Sequence, residues 1–121
     1  MRDFRVRTAQ KVHDHNTGRR CDNEECKGEL KDTIINFGEN LDSDIINAGF
    51  REGGRSDLCL AMGSSLRVTP AADIPLECVR NGGKLVIVNL QKTPLNKAAS
   101  MVIHAMCDTV MNMVMEKLGM Q

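Results

Sequence analysis

The chain of 121 residues contains neither tryptophan nor tyrosine, and its phenylalanines are only Phe4, Phe37 and Phe50. A core cannot rest on large rings; it must be aliphatic and draw on the eight methionines, whose flexible thioethers fill irregular gaps. Net charge is also absent, with sixteen Lys and Arg against sixteen Asp and Glu. Nothing global therefore draws the chain to nucleic acid or to an anionic membrane, and any partner must be recognised locally. No apolar run approaches the ~18 residues of a membrane span. The charged start Met1-Arg2-Asp3-Phe4-Arg5 has no apolar stretch behind it, so the expectation is an intracellular chain without a membrane partner. Five cysteines are an odd number, and Cys59, Cys78 and Cys107 sit in apolar or helical contexts, which argues against a disulfide framework. The length suits one ordinary domain with a modest core and is too short for a two-domain enzyme.

The most organised stretch is Asp57-Leu58-Cys59-Leu60-Ala61-Met62-Gly63-Ser64-Ser65-Leu66. An apolar run without polar alternation fits a strand covered on both faces, as in a parallel sheet between helices. Such sheets bind ligands beyond the carboxyl ends of their strands, where Gly63, Ser64 and Ser65 fall. Glycine lets a ligand approach the backbone, and the serines add hydroxyl and N–H donors. About twenty residues on, Lys84-Leu85-Val86-Ile87-Val88 is a β-branched run ending in Asn89-Leu90-Gln91. Between the two runs a short helix is expected from about Asp73 to Asn81, with Pro75 in its first turn and Gly82-Gly83 as its stop. Strand, helix and strand in that length make a βαβ unit with right-handed crossover. Two readings of the strand ends stand open, a shared ligand crevice and simple turns.

The remaining elements are less patterned. Met1 to Arg20 is polar, with Arg2, Arg5, Arg7, Lys11, Arg19 and Arg20 outweighing Asp3 and Asp14; it reads as an irregular solvated segment. His13 and His15 flank Asp14 and read as ordinary exposed histidines, although His-x-His can also present two imidazoles to a metal. Cys21 and Cys26, separated by Asp22-Asn23-Glu24-Glu25, can place two thiolates on one metal, half the tetrahedral set of a structural zinc. The other ligands would be the histidines, a second chain or sequence not present; alternatively the pair is two free thiols. A strand is expected at Thr33-Ile34-Ile35-Asn36-Phe37, closed by Gly38-Glu39. A helix follows from Asp42, capped by Asp42 or Ser43, weakened by Gly49 and ended by Gly53 and Gly54. Met101 to His104 reads as a short last strand. Asp108 then caps a helix with an apolar stripe of Val110, Met111, Val114, Met115 and Leu118, and Gly119 stops it. No chemistry is assigned to His104.

Taken in order, Cys21-x4-Cys26, Gly28-Glu29-Leu30-Lys31-Asp32-Thr33-Ile34, Phe37-Gly38-Glu39, Gly63-Ser64-Ser65-Leu66, Lys84 to Gln91 and Cys107-Asp108-x-Val110 resemble the C-terminal half of a sirtuin, from about Arg19 to Gly119. The Leu-Lys-Asp-Thr-Ile string and Asn-Leu-Gln resemble the class IV branch, whose best known members are nuclear. The resemblance implies an α/β fold: an incomplete Rossmann-like parallel sheet of four or so strands flanked by helices, with half of a zinc ribbon near the N-terminus. Residues 1–30 would be the partial ribbon and connecting segment, and residues 31–121 the C-terminal portion of the NAD-binding domain. It also implies NAD and zinc as cofactors and NAD-dependent deacylation of protein lysines, releasing nicotinamide and O-acyl-ADP-ribose. An acylated protein, for example a histone, would be the partner, and nucleic acid would be met only through chromatin.

Carried over by position, Cys21 and Cys26 would be zinc ligands. Gly63, Ser64 and Ser65 would meet the NAD phosphates and ribose, Asn89, Leu90 and Gln91 the adenosine ribose, and Cys107 the adenine. Phe37, Gly38 and Glu39 would be the edge where the acyl-lysine peptide adds as a strand. The family's catalytic His-Gly pair, Gly-rich first loop and first cysteine pair have no counterpart in these 121 residues. The sequence thus reads as starting after the first cysteine pair, with no catalytic residue of its own and no turnover by itself. Two other readings are carried: a non-catalytic NAD or ADP-ribose binding module, and a small zinc-dependent interaction domain using His13, His15, Cys21 and Cys26.

Overall fold

The computed structural model describes residues 13–120; the basic tract of Arg2, Arg5, Arg7 and Lys11 lies outside them. The described chain forms two compact units that divide after Leu41.

In the first unit, β1 (Asn16–Arg20) and β2 (Glu29–Lys31) pair antiparallel. This corrects the expectation of an irregular segment up to Arg20. Asn16–Arg20 has no apolar alternation to announce a strand, and it is fixed instead by bonds to its partner. The Thr17 hydroxyl donates to the Leu30 carbonyl at 2.6 Å, and the Asp32 N–H donates to the His15 carbonyl at 2.8 Å. The connection holds Cys21 and Cys26, closed by the Cys21 N–H on the Gly28 carbonyl at 2.8 Å. No described residue of this unit is buried, and polar bonds join its described strands. The strand expected at Thr33–Phe37 is not formed. The Asp32 side chain accepts the Ile34 N–H at 3.1 Å and Glu39 accepts the Asn36 N–H at 2.8 Å. These local bonds compete with a ladder, and Phe37 is left 86% exposed.

The second unit opens with α1 (Ser43–Arg55). Asp42 caps it, accepting from the Asp44 and Ile45 N–H groups at 2.9 and 3.3 Å, which satisfies two donors that a helix start leaves orphaned. The helix runs through Gly49, Gly53 and Gly54 rather than ending at them. The reason is packing: a Cβ on Gly49 would stand 2.8 Å from Ile74 Cδ1, and one on Gly53 would stand 3.0 Å from the Ile74 carbonyl oxygen. Glycine here admits a close helix–helix approach that offsets its poor propensity.

Three parallel strands follow: β3 (Leu58–Met62), then, across α2 (Ile74–Arg80), β4 (Lys84–Val88), and finally β5 (Met101–Ile103), in the order β3-β4-β5. Pro75 sits at the start of α2, where its missing N–H costs nothing. The sheet therefore has three strands among the described residues rather than four. Its centre is β4, with Leu85, Ile87 and Val88 fully buried; the β3 residues Leu58 and Leu60 stay 56% and 47% exposed. Among the described residues β3 is one of the sheet's two edges, and its continuous apolar run is covered only in part. Cys78 of α2 is fully buried, its thiol donating to the Ser56 carbonyl at 3.3 Å. The last helix, α3 (Cys107–Lys117), is preceded by Met106 at the cap position, with no capping side chain; Asp108 lies inside its first turn. Of the expected stripe, Val114 and Leu118 are 40% and 65% exposed. No helix among the described residues is long and apolar enough to cross a membrane.

Candidate functional site

Parallel register brings the ends of β3 and β4 together. Met62 pairs with Val88, and the Gly63 N–H donates to the Val88 carbonyl at 2.9 Å, so the two strands run out side by side. Gly63 then turns with φ +66, a conformation that costs a side-chain-bearing residue about 1–2 kcal/mol. The Ser64 hydroxyl accepts the Leu66 N–H at 3.2 Å and rounds off the loop. Leu66, also at positive φ, is buried in the core beside Leu85 and Ile87 and anchors it. Across the gap, Asn89 joins the two strand ends. Its side-chain amide donates to the Ser64 carbonyl at 2.7 Å, and its side-chain oxygen accepts the Gln91 N–H at 2.9 Å. The Asn89 carbonyl in turn meets His104 Nδ1 at 3.0 Å, so His104 supports the loop.

Between these loops and the start of α3 lies a cleft of about 520 Å³, lined by Gly63, Ser65, Arg67, Asn89, Leu90, Gln91, Lys92, Ala105, Met106, Cys107 and Asp108. Six of the seven nucleotide residues expected from sequence line it: Gly63, Ser65, Asn89, Leu90, Gln91 and Cys107. Ser64 does not; its hydroxyl and carbonyl shape the loop. Arg67 and Lys92 escaped the sequence reading. Each stands just beyond a residue it singled out, and basic side chains flanking two strand ends were the available signal.

The cleft suits a ligand that combines apolar surface, against Leu90, Ala105 and Met106, with anionic groups. A Cβ on Gly63 would stand 3.4 Å from Cys107 Sγ, an ordinary contact, so the positive φ rather than crowding is what favours glycine here. The start of α3 adds N–H groups that have no partner within the helix and favour negative charge, and Arg67 and Lys92 supply cations while Asp108 tempers them.

The first unit brings a different set together. His15 Nδ1 lies 2.8 Å from Asp32 Oδ1, and Nε2 lies 2.9 Å from Glu39 Oε1, which also meets His13 Nδ1 at 2.7 Å. His13 and His15 are thus engaged with carboxylates rather than simply solvated. The hydrogen bonds to Asp32 and then Glu39 raise the His15 pKa above its ordinary 6.5. Glu39 is held down from 4.5 to about 2, chiefly by the Asn36 N–H and then by His13. Gly38 turns with φ +90 between Phe37 and Glu39. No third His, Cys, Asp or Glu joins Cys21 and Cys26 in a metal-holding group among the described residues. His13 and His15, the other ligands of the zinc-dependent reading, lie against Asp32 and Glu39 and form no such group with the two cysteines among the described residues.

Comparison with known proteins decides the family. The profile of the Sir2 family matches residues 2–70, more than half of the chain. The chain belongs to the Sir2 family. It is 43% identical over its whole length to the NAD-dependent protein deacetylase SRT1 of Arabidopsis thaliana, and 36% identical over 127 aligned residues to the NAD-dependent protein deacetylase sirtuin-7 of Homo sapiens. It spans about 25% and 31% of the lengths of these relatives. A solved Sir2–p53 peptide–NAD+ structure superposes with a TM-score of 0.70 at 40% identity, over 83% of this chain and 41% of that one. The Rossmann-like character of the three-stranded sheet is that of the sirtuin fold.

Proposed function

We propose that residues 42–120 form the adenosine-side half of an NAD site, and that the chain contributes it to an NAD-dependent protein-lysine deacylase. One observation carries the reading: Gly63, Ser65, Asn89, Leu90, Gln91 and Cys107, from three separate strand and helix ends, line a single cleft. Gly63 and Ser65 would receive the phosphate and ribose oxygens, Asn89 to Gln91 the adenosine ribose, and the backbone at Cys107 the adenine. Ser64 and His104 would act behind them by holding the loops. NAD, when bound, supplies the nicotinamide–ribose bond whose breaking drives removal of the acyl group. The chain's residues bind and orient the adenosine end, while the general base belongs to sequence outside these 121 residues.

In the same reading Phe37, Gly38 and Glu39 form the edge that takes the acyl-lysine peptide, and Cys21 and Cys26 supply half of a zinc site. Residues 1–30 are the ribbon portion and residues 31–121 the portion assigned to the nucleotide domain, of which residues 31–41 fold with the first unit. The Leu30-Lys31-Asp32-Thr33-Ile34 and Asn89-Leu90-Gln91 strings, with the likeness to sirtuin-7, support class IV membership, a nuclear location and a chromatin protein such as a histone as substrate. A second reading, a non-catalytic ADP-ribose binding module, is favoured by the fact that every lining residue of the cleft comes from one unit.

Isothermal titration of NAD and ADP-ribose into the purified chain tests the site. Binding that Asn89→Ala weakens supports it. Absence of binding by a cooperatively folded chain removes both the half-site and the binding-module readings for the chain by itself.

A further inference from the structure

The cluster on His15 has a protonation requirement written into its geometry. Both ring nitrogens face carboxylate oxygens, Nδ1 toward Asp32 at 2.8 Å and Nε2 toward Glu39 at 2.9 Å. An ionised carboxylate only accepts, and a neutral imidazole carries a single N–H, so both bonds exist together only when the ring is imidazolium. The two carboxylates belong to separated pieces of chain. Asp32 directly follows β2, and its N–H returns to the His15 carbonyl at 2.8 Å. Glu39 closes the turn that begins at Asn36, its N–H on the Asn36 carbonyl at 3.1 Å and its Oε2 on the Asn36 N–H at 2.8 Å. His15 therefore ties the turn bearing exposed Phe37 and Gly38 to the base of the β1–β2 hairpin.

Among the described residues several charged groups bear on this tie. Asp32 and Glu39 face the ring, and His13 shares Glu39 Oε1 from the other side. Asp14, adjacent in sequence, accepts the Asn16 N–H at 3.1 Å. Among the described residues of the unit none is fully buried, so these polar bonds are what the described residues offer to hold the turn. Removing the proton takes from His15 the donor of one of its two carboxylate bonds.

We propose that His15, as an imidazolium, is the positioning residue for the Asn36–Glu39 turn, so that presentation of Phe37 and Gly38 to an acyl-lysine peptide follows the protonation of His15. This rests on the reading of Phe37, Gly38 and Glu39 as the peptide edge. Below the pKa of His15 the turn is clamped and the edge is preformed. Above it the tie to Asp32 or to Glu39 opens, and a peptide must spend part of its binding energy restoring it.

The test is a two-dimensional NMR titration of the 15N-labelled chain from about pH 5.5 to 9, spanning histidine titration, following the His15 ring and the Gly38 amide, with an acetyl-lysine peptide titrated in at either end. The Gly38 amide should shift with the midpoint of His15, and the peptide should bind about fivefold more tightly at the acid end. His15→Gln should abolish both steps, whereas His13→Gln should keep them. The wild-type titration stands without either variant should one fail to fold. A Gly38 amide that ignores His15 overturns the clamp, and equal peptide affinity at both ends overturns its role in substrate presentation. No peptide binding at either pH, with Gly38 still following His15, contradicts the peptide-edge reading while the clamp stands.

Discussion

The side-chain amide of Asn89 donates to the carbonyl oxygen of Ser64 at 2.7 Å, tying the end of β4 to the loop that follows β3. The same side chain accepts the Gln91 N–H at 2.9 Å, so Asn89 holds both lips of the cleft at once. Its substitution should be felt in ligand binding before stability. Asn89→Ala is expected to weaken ADP-ribose binding about tenfold, the equivalent of about 1.4 kcal/mol, with little change in the unfolding midpoint. Asn89→Asp should be worse, because it sets an anion against the Ser64 carbonyl. Calorimetry beside thermal unfolding checks both. Unchanged affinity in Asn89→Ala would remove Asn89 from the site.

Glycine substitutions should separate backbone crowding from helix propensity. A Cβ at Gly83 would meet Cys78 Sγ at 2.5 Å and the Ser56 carbonyl oxygen at 2.7 Å, and backbone cannot step aside. Gly83→Ala is expected to destabilise the chain by about 2–3 kcal/mol. A Cβ at Gly54 meets only the Asn81 side-chain nitrogen, at 3.3 Å, and alanine is the better helix former by about 1 kcal/mol, so Gly54→Ala should be neutral to stabilising. Urea unfolding of the two variants gives the comparison. A Gly83→Ala chain as stable as the parent would contradict the packing of α2 against the start of β4.

The histidine cluster gives the hairpin unit a pH window of opposite signs at its two ends. His15 has a raised pKa, so its contribution is complete below its ordinary 6.5 and is lost as pH climbs through the raised value. Glu39 has a lowered one, so its contribution is complete above 4.5 and is lost as pH falls toward about 2. The unit should be most resistant to local opening between these limits, as hydrogen exchange of the Asp32 and Glu39 amides would report. Protection that rises steadily above pH 7 would contradict the His15 assignment.

The sheet was legible in sequence and the hairpin was not, for a physical reason. Leu58–Met62 and Lys84–Val88 are apolar runs that end in Gly and Asn, a pattern that survives in one dimension. From those ends follows the cleft, which Gly63, Ser65, Asn89, Leu90, Gln91 and Cys107 line and Ser64 does not. The β1 strand carries no such pattern, since Thr17 and Asp32 hold it through bonds to distant backbone. His15 looked solvated because its partners Asp32 and Glu39 lie 17 and 24 residues away. Gly49 and Gly53 of α1 read as breakers because Ile74, which their bareness accommodates, belongs to another helix. The length of Thr33–Phe37 suited a strand, but Asp32 and Glu39 claim its amides locally.

Cysteine chemistry should rank by burial. Cys26 is exposed and Cys21 partly so, Cys59 is pushed up in pKa by burial, and Cys78 is fully buried. A thiol reagent should modify Cys26 first and Cys78 only on unfolding, since the thiolate is the reactive form. If Cys21 and Cys26 bind zinc, added metal should protect that pair selectively, and Cys21→Ser should abolish the protection. Equal labelling with and without zinc would leave them as plain thiols in this chain.

The most direct test of the nucleotide half-site is calorimetric titration of ADP-ribose and NAD into the folded chain. Measurable binding of both, weakened by Asn89→Ala and unaffected by Cys21→Ser, is the predicted result. A cooperatively folded chain that binds neither would contradict the half-site, and with it the claim that Gly63, Ser65 and Asn89 to Gln91 form a nucleotide cleft on their own.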